Sequence, residues 1–169
     1  VSITGSVTVE RYIPAHTQNR RAFRFLATPV NSTDPIYDNW QESGNTPMGY
    51  GTHITGSTTG SSGFDASTTG NPSMFTFDNL YTGNQDNAWS AIPNTDTKKL
   101  SVGEAYLILI RGDRNHDLTS NPANDPNIDV RLKATGTIFT DNQTYNLSQI
   151  QDYYSLVANP YQAIVDINE

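Results

Sequence analysis

The chain has no cysteine, so disulfides, thiolate nucleophiles and cysteine-based zinc sites are excluded by inventory. Basic residues are few: ten Lys and Arg stand against 17 Asp and Glu, a formal net charge of −7. Neutralising nucleic-acid phosphates takes clustered Lys and Arg, so no nucleic-acid partner is expected. No apolar stretch approaches the roughly 20 residues of a membrane-spanning helix. The opening Val1-Ser2-Ile3-Thr4-Gly5 lacks the basic and apolar regions of a signal peptide, and no direct membrane insertion is expected. Helical periodicity is scarce too, since residues 147–154 hold only a single turn of it.

What is present is Thr (21) and Asn (17), against three Lys and four Glu. Thr suits exposed strand faces and Asn suits turns, which points to an all-β chain with many connections. Nine Tyr, six Phe and two Trp supply the large apolar surfaces that a disordered chain lacks. A length of 169 residues suffices for one domain with a core.

In residues 6–13, Val7, Val9 and Ile13 share one face of a strand that stops at Pro14. Over 21–27, Phe23 and Phe25 alternate with Arg24 before Pro29. From 31 to 71 the chain is rich in Gly, Ser, Thr, Asn and Pro, a long loop-dominated excursion with a short strand only near 50–55. Strands resume at 74–77 and 87–92, the second stopped by Pro93, and 94–97 reads as a turn. Residues 128–138 show the cleanest period of two, and 153–158 and 162–167 read as extended segments flanking Asn159-Pro160.

The centre of the fold is expected at Tyr106-Leu107-Ile108-Leu109-Ile110, apolar without alternation and therefore read as a strand buried on both faces. Eight or nine short strands between turn signals define an all-β fold, a two-sheet β-sandwich, jelly-roll-like, with long polar loops. It forms a single module over 1–169. Because Val165-Asp166-Ile167-Asn168-Glu169 follows a core-forming strand without a polar tail, the module is expected to be truncated at its C-terminal end. An unpaired edge strand would then be free to assemble with a neighbouring chain.

Behind the central strand, Asp113, Asn115 and Asp117 alternate as hard oxygen donors, a spacing that can wrap a loop around calcium. Calcium is the one candidate cofactor. The loop is not an EF-hand, since Leu118 stands where glycine is needed and no Glu closes it, so further ligands would come from Asn121, Asp125 or Asp129. The competing reading pairs Asp113 with Arg111, Arg114 or another Arg to order the turn. Arg111-Gly112-Asp113 also spells a tripeptide that animal adhesion receptors read from protruding loops, but its position directly after a buried strand argues against that role.

Glycan binding would draw on Trp40, Tyr50 and Trp89 first, with Tyr81, Tyr153, Tyr154 and Tyr161 behind them, because aromatic faces stack on sugar C–H surfaces. The bland alternative is that these rings pack the core and its rim. Catalysis has little to work with. His16, His53 and His116 fall in unlike segments without a compact metal spacing, and Ser61 and Ser62 sit in no G-x-S-x-G elbow. No pair among the acids is singled out, so the chain is expected not to be an enzyme.

Several phrases resemble a module of large exported proteins of Bacteroidota that use the type IX secretion route. They are Asn39-Trp40-Gln41-Glu42, Gly49-Tyr50-Gly51-Thr52-His53-Ile54-Thr55-Gly56, Arg111-Gly112-Asp113-Arg114 and Asn159-Pro160-Tyr161-Gln162, together with 7–14, 20–30 and 63–65. The resemblance implies export, an extracellular or cell-surface location, and a role in adhesion, assembly or display, and it does not imply a catalytic site. The resulting expectation is a non-catalytic extracellular module whose loops contact other protein chains or surface glycans. The alternative is a carbohydrate-binding module attached to a polysaccharide-acting enzyme.

Overall fold

The computed structural model describes residues 4–15, 21–115, 117–118 and 128–163. Its strands are β1 Ser6–Ile13, β2 Ala22–Leu26, β3 Val30–Ser32, β4 Thr55–Ser57, β5 Asp65–Ala66, β6 Met74–Phe77, β7 Trp89–Ala91, β8 Tyr106–Ile110 and β9 Val130–Ile138. A single α-helical turn, α1 Ile36–Asn39, follows β3.

Two antiparallel sheets pack together as a sandwich, one in the order β1-β9-β3 and the other β2-β8-β6-β7. Residues 98–100 extend the first sheet beyond β3: Ser32 N–H donates to Leu100 O (3.1 Å), Ile36 N–H to Lys98 O (2.8 Å), and Pro35 bridges Lys99 antiparallel. The pairings are therefore nested, with β1 on β9, β2 on β8, β3 on 98–100 and β6 on β7. A ribbon folded back on itself in this way, with successive pairs in alternate sheets, is the jelly roll that the short, turn-separated strands predict.

The long excursion between β3 and β6 is not loose. Residues 49–51 return to β9, where Arg131 N–H donates to Gly49 O (2.9 Å) and Gly51 N–H to Arg131 O (2.9 Å). The short parallel pair β4–β5 forms within it.

Between the sheets, Ile13, Val30, Ile36, Trp40, Ile54, Met74, Ile92, Leu100, Tyr106, Ile108, Ile110, Val130, Leu132 and Ala134 make one buried cluster. Trp40 meets Tyr106 edge to face, 5.6 Å between centroids, the arrangement that ring quadrupoles favour. The Tyr106 hydroxyl donates to Glu104 Oε2 (2.6 Å) and accepts from Ser101 N–H (3.2 Å), so the deepest phenol is satisfied. Burial, reinforced by the Glu104 charge and hydrogen bond, pushes its pKa up. Gly136 lies opposite Ser32 at the β3–β9 pairing, and a Cβ there would overlap the Asn31 carbonyl.

The structure departs from the sequence reading in three places. The three-residue β3 and helix α1 lie where only loop is expected, because neither is long enough to show a period. Residues 153–158 are not a strand but a strap held by side-chain amides. Residues 164–167 of the last expected segment lie outside the described residues.

The third departure concerns β8. Tyr106, Ile108 and Ile110 are buried inward as expected, but the opposite face, with Leu107 and Leu109, is only half-buried. Among the described residues no third layer lies over it.

Candidate functional site

Strand register fixes what each sheet shows to the outside, because alternate residues take opposite faces. In the four-stranded sheet, Tyr106, Ile108 and Ile110 face the core. The outward positions are therefore Phe23 and Phe25 on β2, Leu107 and Leu109 on β8, Phe75 and Phe77 on β6, and Trp89 and Ala91 on β7. All are apolar. In the three-stranded sheet the outward positions of β1 and β9 are Ser6, Thr8, Glu10, Tyr12, Arg131, Lys133, Thr135 and Thr137, all polar or amphipathic.

On the apolar face, Phe23 is 49% and Phe25 62% exposed. The rings gather on one another instead of standing apart. Phe23 packs against Phe75 (6.4 Å), Phe25 stacks on Trp89 (6.2 Å, 30°), Trp89 tilts against Phe77 (4.8 Å), and Phe77 stacks on Tyr154 (5.0 Å, 22°). The strap delivers Tyr154. Asn79 donates to Leu156 O (3.1 Å) and accepts from Leu156 N–H (2.8 Å), and Gln85 does the same for Tyr154 O (2.8 Å) and N–H (3.2 Å). Two amide side chains thus stand in for a neighbouring strand and fix the rim of the patch.

The expected glycan residues do not converge. Trp40 is 3% exposed and belongs to the core, which removes it as a stacking platform: α1 and the turn after it carry the ring inward onto Tyr106. Tyr50 is half-buried on the opposite side of the sandwich, under the cations of Lys133 (4.8 Å) and Arg131 (5.8 Å). Trp89 and, from the second group of candidates, Tyr154 lie on the aromatic face. Phe23, Phe25, Phe75 and Phe77 were missed. The unalternating β8 carried a signal for them, because a strand apolar on both faces needs apolar neighbours on both.

The turn after β8 is buried. Asp113, 1% exposed, accepts from Gly49 N–H (2.8 Å) and Asn115 N–H (3.1 Å), so its carboxylate ties the turn to the excursion. No group of three or more His, Asp or Glu side chains among the described residues is placed to hold a metal ion. Asn121 and Asp125 lie outside the described residues, and Asp129 is spent on the end of β1, accepting from Tyr12 Oη (2.6 Å) and Ala15 N–H (2.8 Å). The Arg-Gly-Asp tripeptide is likewise buried, not protruding.

The partner of Arg114 is Asp65, not its neighbour Asp113. The guanidinium forks onto both Asp65 oxygens at 2.6 Å each and donates to Asn45 O (2.9 Å) and Thr52 O (3.2 Å). Gln41 Nε2 and Ile54 N–H also donate to Asp65, at 3.0 Å each, and His53 Nδ1 stands 3.4 Å away. Burial opposes the charged form of Asp65, but the adjacent His53 ring and the Arg114 hydrogen bonds and charge outweigh it and hold its carboxyl well below the usual carboxylate range. The node clamps the excursion to the turn after β8. The described remainder of the three expected histidines is His53 alone, and it serves this clamp.

Two clefts flank the aromatic face. One of about 450 Å³ is lined by Phe23, Leu109, Arg21, Ser67, Thr68 and Asn71 among others, and one of about 480 Å³ lies by Phe77, Glu104 and Gln143. The class defined by this geometry is a jelly-roll sandwich with one polar and one aromatic outer face. Set against protein-family models, curated proteins and solved structures, the chain matches none.

Proposed function

We propose that the chain is a non-catalytic, extracellular module of a larger surface or secreted protein, serving adhesion, assembly or display. Its contacts are made through the outer face of the four-stranded sheet, not through the loops. The observation that carries this reading is the run of uncharged apolar side chains at every outward position of β2, β8, β6 and β7, in a chain whose other outer face is polar. Monomeric soluble proteins seldom expose contiguous apolar patches of several hundred Å², and larger ones mark interaction sites. Export and cell-surface location rest on the phrases that resemble the type IX-secreted module.

The test is binding of the 169-residue chain to isolated bacterial cell-surface fractions. Phe25→Asp/Phe77→Asp is expected to abolish binding and Thr68→Ala/Thr69→Ala to leave it intact. The reverse pattern, or no binding by the wild type, defeats the proposal.

A second reading, carbohydrate binding, draws on the cleft beside Phe23 with its Ser67, Thr68, Thr69 and Asn71 side chains. The face itself argues against it. Its rings cover one another, and among its outward positions only the Trp89 indole N–H could bond a sugar hydroxyl. A glycan array on which the chain binds and Trp89→Ala does not would reverse this preference.

A further inference from the structure

We infer that the partner seated on the aromatic face is a second copy of this chain, the two four-stranded sheets packing face to face. The inference rests on the preceding reading of that face as the contact surface and adds what covers it.

Area is the first argument. With roughly 200 Å² for a full aromatic side chain, Phe23, Phe25 and Tyr154, each about half exposed or more, together with the half-covered Phe75, Phe77, Trp89, Leu107 and Leu109, present on the order of 500 Å². A standard interface takes about 800 Å² from each partner, about two-thirds of it apolar where identical chains meet. The patch is therefore the size of one such apolar centre.

Charge is the second. A chain of net charge −7 repels its own copy over most of its surface. The outward positions of this sheet carry no charge, so here two copies meet without opposing like charges.

Sedimentation velocity of the 169-residue chain from low to high micromolar concentration tests this. Expected is a reversible monomer–dimer equilibrium that Phe25→Asp weakens by roughly tenfold or more, because a carboxylate finds no partner in an apolar centre. Phe25→Ala, which removes the ring without introducing a charge, is expected to weaken it several-fold. This second variant keeps the test decisive even if Phe25→Asp fails to fold, which circular dichroism reports. A chain that is monomeric throughout, or a dimer indifferent to both Phe25 variants, overturns the inference. A monomer that still binds cell-surface fractions, and loses that binding on Phe25→Asp/Phe77→Asp, refutes the second copy while leaving the contact face standing. A monomer that binds nothing refutes both.

Discussion

The two outer faces of this sandwich are made by strands of the same kind and similar register, yet one is polar and the other apolar. On the β1–β9 side, Thr8 bonds Thr135 (2.8 Å), Lys133 reaches Glu42 (2.7 Å), and Arg131 lies over the rings of Tyr12 and Tyr50. Every outward group there either meets water or has a partner, and the excursion between β3 and β6 docks along β9. The β2–β8–β6–β7 side has rings that satisfy only one another. An antiparallel sheet that ends in water reads as apolar-in and polar-out. The failure of that alternation in one sheet, while it holds in the other, is the ground on which we propose that sheet as the contact surface.

The two tryptophans put the comparison to its strongest test. Trp40→Ala removes a core ring packed on Tyr106 and is expected to cost about 3–5 kcal/mol of stability. Trp89→Ala, on the half-exposed aromatic face, is expected to cost well under half of that. Urea denaturation of both variants measures the difference. Equal losses would mean that the aromatic face belongs to the core and is not a contact surface.

Next in size is the clamp that makes the polar side possible. Asp65→Asn leaves Arg114, 3% exposed, without its carboxylate and is expected to destabilise by about 3 kcal/mol or more. The linkage with pH has a definite sign. The folded pKa of Asp65 is depressed, so its contribution is complete above the unfolded value, near 4, and is lost as pH falls through the lower folded value. Thermal midpoints measured from pH 5 downward are expected to fall in the wild type and to fall less steeply in Asp65→Asn. Parallel acid limbs would show that the clamp is not what orders the excursion. Because the node lies away from the aromatic rings, self-association of the folded fraction should be unchanged.

Much of this was legible in the sequence, and the rest was hidden for identifiable reasons. β1, β2, β6, β8 and β9 announce themselves by alternation or by unbroken apolar character. The sandwich follows from their number and from the turns between them. β3 is too short to have a period, and its place depends on residues 98–100 arriving beside it. The partner of Arg114 lies 49 residues away, and local charge favoured Asp113, whose oxygens instead serve backbone N–H groups. Trp40 and Trp89 look alike as residues in polar stretches, and only the helical turn at Ile36–Asn39 sends the first inward. The aromatic face was hidden by a reasonable rule. Phe23 and Phe25 alternate with Arg24, and apolar residues in such a pattern are ordinarily the buried set, whereas here Ala22, Arg24 and Leu26 turn toward the core side and the phenylalanines turn out.

A smaller effect sharpens the contrast between the two sheets through backbone spacing. Gly136→Ala forces a methyl against the Asn31 carbonyl where β3 and β9 approach, and is expected to cost about 1–3 kcal/mol. The loss should appear in the three-stranded sheet first, as faster hydrogen exchange of the β3 and β9 amides relative to those of β8. Uniform acceleration in both sheets would show that the sandwich opens only as one unit.

The smallest expected effect comes from the polar face itself. Glu10 stands 4.0 Å from Arg131 with both side chains nearly half exposed, so the pair gains little over solvation. Glu10→Ala is expected to change stability by less than about 0.5 kcal/mol and to leave the sedimentation behaviour untouched. Added sulfate separates the two faces further. It screens such pairs but strengthens apolar burial, so association through the aromatic rings should tighten as salt rises. If sulfate instead disperses the dimer, or if Glu10→Ala does, the contact is made by the charged face and the assignment of roles to the two sheets is inverted.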